Sequence, residues 1–250
     1  MHRIELGPAF LDTADASSII PFVKLLVERR KPAHIITLNS LMFNSAVDDP
    51  EGFAPVIRNA AFIVPDSIGI VWAAKFLAGV KLSRCPGIDM IFDICKASEE
   101  SGYKIYLLGS AHGIAEKAAD KLKTLYPHLR IAGTHHGYLV KEEQEQIIRQ
   151  IRDSGADILF VGMSVPKQEK WISEHLEELG IPVVMGVGGS FDVISGFLKR
   201  APLWMQRLGF EWLYRTIQQP WRFFRIMHLP IFVLNVVKLR LWNKDSTISS

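Results

Sequence analysis

The chain has 250 residues, 48% of them hydrophobic, enough to bury a large core, and its two cysteines, Cys85 and Cys95, fit neither a disulfide framework nor a metal-ligand spacing. A disordered chain and a small disulfide-held scaffold are therefore excluded, and with no signal-peptide pattern and no run of roughly 18 apolar residues, a reducing cytoplasm is the expected setting. The net charge of +3 is unevenly spread: from residue 196 nine Lys and Arg face only Glu211 and Asp245, a net +7, whereas residues 1–195 carry 20 against 24, a net −4.

After a short polar opening, residues 16–30 place apolar side chains at 19, 20, 22, 23, 25, 26 and 27, a helical pattern. Residues 34–38 read as a buried strand with Thr37 and Asn39 at its carboxyl end, and short helical patterns follow at 42–47 and 53–59. The apolar run from Ala61 stops at Pro65 and leaves Asp66 at a strand end, before Ser67 and Gly69 lead into another helical pattern. Local sequence points first to Asp66 as a helix cap and second to a base in a cleft. In the loop 82–89, Asp89 is placed to cap the helix 90–100. Arg84 is either a solvated surface arginine or a bidentate partner for a diphosphate.

Residues 103–108 form the next expected strand, and the turn Gly109-Ser110-Ala111-His112-Gly113 opens directly into the helix 114–126. Such a turn can offer backbone N–H groups to a phosphate, although it matches neither a P-loop nor a dinucleotide fingerprint, and a tight turn with no ligand is the plainer reading. Residues 129–133 read as a further strand, and His135 and His136 as loop residues, since no third ligand stands at metal spacing. A charged helix at 141–154 precedes the strand 157–162. Pro166 then opens a helix with Lys167, Gln168 and Glu169 in its first turn, where Glu169 reads as a dipole feature and Gln168 has no such explanation. The strand 181–187 ends in Gly188 and Gly189 before Asp192, a second glycine turn.

This alternation predicts an α/β fold: a Rossmann-like, mostly parallel sheet of six strands with helices on both faces, plus a basic, amphipathic helical appendage. In a parallel sheet Thr37, Asn39, Asp66, Ser110, Gln168 and Asp192 share one edge. The expected division is a core of residues 1–195 and an appendage of 196–250, the latter in short helical pieces broken at Pro220 and Pro230. Four of the six tryptophans lie there beside basic residues, among them Arg215, Arg222 and Arg225. That mixture suits an anionic membrane surface or an acceptor diphosphate, and alternatively a docked helix pair or an oligomer contact.

Several motifs occur together: Thr37-Leu38-Asn39, Pro65-Asp66-Ser67-Ile68-Gly69, Arg84 with Gly87-Ile88-Asp89, Leu107-Leu108-Gly109, the stretch 161–169 (VGMSVPKQE), the stretch 186–192 (GVGGSFD), Lys199-Arg200-Ala201-Pro202, and Glu211-Trp212-Leu213-Tyr214-Arg215. Over about residues 30–225 this combination resembles the WecG/TagA/CpsF family of bacterial glycosyltransferases. The resemblance implies inverting transfer from a UDP-sugar to an undecaprenyl-diphosphate-linked sugar by a peripheral enzyme on the inner face of the cell membrane. For the TagA branch it implies UDP-N-acetylmannosamine as donor and lipid-linked N-acetylglucosamine as acceptor, in priming wall teichoic acid, with the appendage completing the active site and a possible change of oligomeric state. It further implies a general base at Asp66, sugar-pocket residues at Thr37 and Asn39, and further site positions at Arg84 and Gln168. Ser67 departs from the glycine that often follows the aspartate, which bears on donor preference more than on reaction type.

The residue types suit that chemistry. One carboxylate suffices to deprotonate an acceptor hydroxyl, and a departing UDP needs positive charge or N–H donors, which Arg84 and the turns at Gly109, Ser110, Gly188 and Asp192 can provide. No Asp-x-Asp motif is present, so no cofactor and no metal is the expectation. The alternatives are another UDP-hexose donor, such as N-acetylmannosaminuronic acid or glucose, in exopolysaccharide synthesis, a non-catalytic nucleotide-binding or dehydrogenase-like domain, and a nucleic-acid binder. A dehydrogenase lacks its GxGxxG here, and no nucleic acid is the expected partner.

Overall fold

The computed structural model describes residues 2–13, 16–220 and 227–248. Its centre is a six-stranded, entirely parallel sheet in the order β4-β3-β8-β7-β5-β6, where β3 is His34–Leu38, β4 Phe62–Pro65, β5 Lys104–Gly109, β6 Arg130–His135, β7 Ile158–Gly162 and β8 Val183–Gly186. All six expected strands are present. Their near-continuous apolar runs follow from burial on both faces: Ile105 and Leu107, Ile158 and Phe160, and Val183 and Met185 enter one core, while Tyr106 and Leu108, Leu159 and Val161, and Val184 enter another. Helices α1 (Ala16–Arg29), α5 (Gly87–Ser101) and α6 (Ile114–Leu125) cover the first face, and α7 (Lys141–Asp153) and α8 (Lys167–Leu179) cover the second. A third cluster gathers α2 (Ser40–Asp48), α3 (Ala54–Arg58) and α4 (Ile68–Ala78) around Ile36, Leu38 and Ile63.

The chain leaves β3 toward the edge strand β4 and leaves β8 the other way, into a short helix (Ser190–Ile194) that packs on α6 over β5, so a crevice opens between β3 and β8 at their carboxyl ends.

The opening residues are not a plain polar lead. They form an antiparallel hairpin, β1 (Arg3–Leu6) and β2 (Ala9–Asp12), turned at Gly7 with φ of 64°. Asp12 accepts two bonds from Arg3 (2.9 and 2.8 Å) and one from the Ile63 N–H (2.8 Å), which ties the hairpin to the edge strand β4.

Among the described residues, α9 (Ser190–Ile194) is followed by three helices, α10 (Leu203–Arg207), α11 (Glu211–Gln218) and α12 (His228–Ile248). Pro230 does not break the last helix. It occupies the first turn, where its missing N–H costs no intrahelical bond. Helix α12 is docked: Phe232 and Val236 are buried in the third core, Phe232 stands edge-on to Phe43 at 5.2 Å, and Asn44 Nδ2 donates to the His228 carbonyl at 2.8 Å. Among the described residues no helix is long and apolar enough to cross a membrane.

Candidate active site

A cavity of about 620 Å³ lies over the carboxyl ends of β3, β4, β7 and β8, roofed by α11 and the start of α12. Thr37, Asn39, Asp66, Arg84, Gln168, Gly188 and Arg215 all line it. Gly109, Ser110 and Asp192 do not. Gly109 and Ser110 sit at the end of β5, where the Ser110 N–H is taken by the Gly162 carbonyl (2.8 Å), beside a ring cluster of His112, His136 and Tyr138. Asp192 lies in α9, its carbonyl accepting the Leu198 N–H at 2.8 Å. Arg222 and Arg225 lie outside the described residues.

Asp66 follows directly on β4, its N–H donating to the Leu38 carbonyl at 2.8 Å. The cap of α4 is Ser67, in extended conformation with its hydroxyl accepting the Ile70 N–H at 3.4 Å. The Asp66 carboxylate is thereby released from capping and turns to the cavity, where Oδ1 accepts the Gly87 N–H at 2.8 Å. Gly87 approaches closely because it has no side chain: a Cβ there would stand 3.2 Å from Thr37 Oγ1. Burial pushes the Asp66 pKa up, against the Gly87 N–H and the positive charges of Arg215 and Arg84, while Glu211 adds to the rise. A carboxyl raised in this way is better matched to proton abstraction near neutral pH.

The remaining side chains are held by their own local chemistry. Asn39 caps α2, Oδ1 accepting from the N–H groups of Leu41 (3.0 Å) and Met42 (3.1 Å). Thr37 Oγ1 donates to the Gly186 carbonyl at 3.3 Å across the β3–β8 seam. The loop before α5 is pinned beside Asp66 by the Cys85 N–H on the Pro65 carbonyl (2.7 Å). In it Arg84, with its side chain 20% exposed, is no solvated surface residue: Nη1 pairs with Glu211 Oε2 at 2.7 Å. Asp89 does not cap α5. It lies within the first turn and pairs with Arg200 at 2.6 Å. Arg215 on α11 forms no ion pair with any described residue, so its charge faces the cavity unmatched by a direct partner.

Gln168 is a buried staple. Its Oε1 accepts the N–H groups of Met163 (3.0 Å) and Gly188 (2.8 Å), joining the loops after β7 and β8, and its Nε2 donates to Glu169 Oε1 at 2.6 Å. Glu169 was expected as a dipole feature of the helix start, yet it is fully buried, Oε2 has no hydrogen-bond partner among the described residues, and burial raises its pKa to about 7. Its folded pKa lies above the unfolded 4.5, so the folded state holds the proton more tightly and stability falls as pH rises through that interval. Replacing Glu169 with Gln removes the titration: the urea-unfolding advantage of the variant over the wild type should grow by about 3 kcal/mol between about pH 4 and about pH 8.

Sequence reasoning passed over Glu211, Trp212, His228 and Phe232, which also line the cavity. Only the quoted stretch 211–215 carried a signal for the first two.

A profile described as the glycosyl transferase WecG/TagA/CpsF family matches residues 6–246. The chain belongs to this glycosyltransferase family. Two relatives carry the name N-acetylglucosaminyldiphosphoundecaprenol N-acetyl-beta-D-mannosaminyltransferase. One, from Bacillus subtilis (strain 168), is 33% identical over 226 residues, 90% of this chain and 87% of the relative. The other, from Staphylococcus aureus (strain MW2), is 35% identical over 206 residues, 82% of this chain and 80% of the relative. The cavity of this glycosyltransferase thus holds one carboxyl with a raised pKa, Asp66, and two arginines, Arg84 and Arg215.

Proposed function

We propose that the cavity transfers N-acetylmannosamine from UDP-N-acetylmannosamine to undecaprenyl-diphosphate-linked N-acetylglucosamine, inverting the anomeric centre, without metal. The observation that carries the reading is Asp66: a carboxylate freed from capping, oriented by the Gly87 N–H and flanked by Arg84 and Arg215. Asp66 takes the proton of the acceptor hydroxyl as that oxygen bonds to the anomeric carbon. On the opposite face the bond from that carbon to the UDP oxygen breaks, and the electron pair leaves with UDP. Arg84 and Arg215 stabilise the charge that develops there, a task that a metal performs in enzymes with an Asp-x-Asp motif. The names of the two relatives support the donor and acceptor.

The same reading places the enzyme peripherally on the inner membrane face. Trp204 on α10, Leu208 just after it and Ile217 on α11 are exposed close in sequence to Lys199 and Arg207, a combination suited to an anionic headgroup layer. Incubation of the protein with UDP-N-acetylmannosamine and a short-chain prenyl-diphosphate N-acetylglucosamine in excess EDTA should give the disaccharide by mass spectrometry. Product from UDP-glucose alone would overturn the donor, and turnover restored only by added Mg²⁺ or Mn²⁺ would overturn metal independence.

A further inference from the structure

We infer that Glu211 is a positioning residue that latches α11 onto the two flanks of Gly87 and thereby sets Arg84 and Arg215 around Asp66. The inference rests on the transferase reading of the cavity for its kinetic consequence, and on the ion-pair geometry alone for the latch.

Glu211 lies at the start of α11 and reaches two cations. Its Oε2 stands 2.7 Å from Arg84 Nη1, and its Oε1 stands 3.8 Å from Arg200 Nε. Arg200 in turn pairs with Asp89 Oδ1 at 2.6 Å. The four charges alternate in sign and cancel, a row in which each cation has an acidic neighbour. Arg84 precedes Gly87 and Asp89 follows it, so the row grips both sides of the residue whose N–H holds Asp66.

This grip matters because no residue of α11 is fully buried: Trp212 and Leu213 both keep more than a third of their surface exposed. Its far end is held by Gln218, which exchanges two 2.9 Å bonds with the backbone of Lys199, but Lys199 belongs to the same terminal region. Arg215 is four residues after Glu211, hence on the same helical face. Turning Glu211 toward Arg84 therefore turns Arg215 toward the cavity. Arg84 meets Glu211 through Nη1 and keeps its other guanidinium nitrogens for a substrate oxygen.

The charged and polar groups acting on Asp66 are the Gly87 N–H, Arg84, Arg215 and Glu211. Removal of the Glu211 charge releases both arginines from this arrangement, and turnover falls with their placement.

Glu211→Gln, Glu211→Ala and Glu211→Asp test the latch. In the unliganded full-length protein, hydrogen exchange of Glu211→Ala should accelerate in residues 84–90 and 211–218 together; acceleration confined to 211–218 overturns the latch. In the transfer assay, kcat of Glu211→Gln and Glu211→Ala should fall by about ten- to hundredfold, as when a group orienting a catalytic side chain is lost, with KM for the donor changed far less. Glu211→Asp should recover part of the loss. Faster turnover or tighter UDP binding in Glu211→Gln would mean that Glu211 merely occupies the diphosphate position, and would overturn the proposal. A wild-type protein without transfer activity strikes the functional reading, while the exchange measurement still decides the latch.

Discussion

Asp66→Asn should lower kcat by about 10²- to 10⁴-fold at saturating donor, with no loss of folding stability. Asparagine keeps an oxygen for the Gly87 N–H and the shape of the side chain, and removes only the capacity to take a proton. Burial raises the Asp66 pKa, so the charged carboxylate weakens the fold above its unfolded pKa, and the variant should melt no earlier than the wild type at neutral pH. In the wild type the rate should fall with decreasing pH as Asp66 becomes protonated, at a pH above that of an ordinary aspartate. A thermal melt alongside steady-state turnover checks both halves. Retained turnover in a folded Asp66→Asn protein would mean that another group takes the proton.

The second large effect is on stability. Phe232→Ala should cost about 3–5 kcal/mol in urea unfolding, the range for a buried Phe cut back to Ala. Phe232 is 1% exposed, packs edge-on to Phe43 and Trp72, and stands close to Gly69, where a Cβ would lie 3.1 Å from its ring. Because it also lines the cavity, turnover should fall as well. A change below about 1 kcal/mol would mean that α12 is not seated as described. The same packing alters what a truncation can report. Deleting residues 196–250 removes Phe232 and Val236 from the core, so lost membrane binding in such a protein would be inseparable from lost folding, and point substitutions on α10 and α11 are the cleaner probes.

The sheet was readable from sequence because strands buried on both faces leave short, nearly unbroken apolar runs, as in 34–38 and 158–162, with helical periodicity between them. The hairpin was not, since four residues of alternation in Arg3–Leu6 are too few to stand out from a polar lead. Asp66 was visible as a carboxylate stranded by Pro65. Its release from capping depends on the neighbouring Ser67, a local fact that the sequence contained but did not rank. Other parts of the site rest on contacts between distant segments. Gln168 is explained by Gly188, Glu211 by Arg84, and the course of α12 by the surface of α2 and α4, none of which periodicity can foresee. Pro230 misled for a related reason: a proline marks a helix boundary, but only tertiary packing shows whether the helix ends or begins there.

The most direct test of the account is the stereochemistry of the product. On the proposed reading, one base on the acceptor side and two arginines for the leaving group carry out a single displacement. From an α-linked UDP-N-acetylmannosamine, NMR of the disaccharide should therefore show a β-linked N-acetylmannosamine, formed by the wild type and lost in Asp66→Asn. An α-linked product would require two displacements or a different attacking face, and would contradict the assignment of Asp66 as the acceptor-activating base.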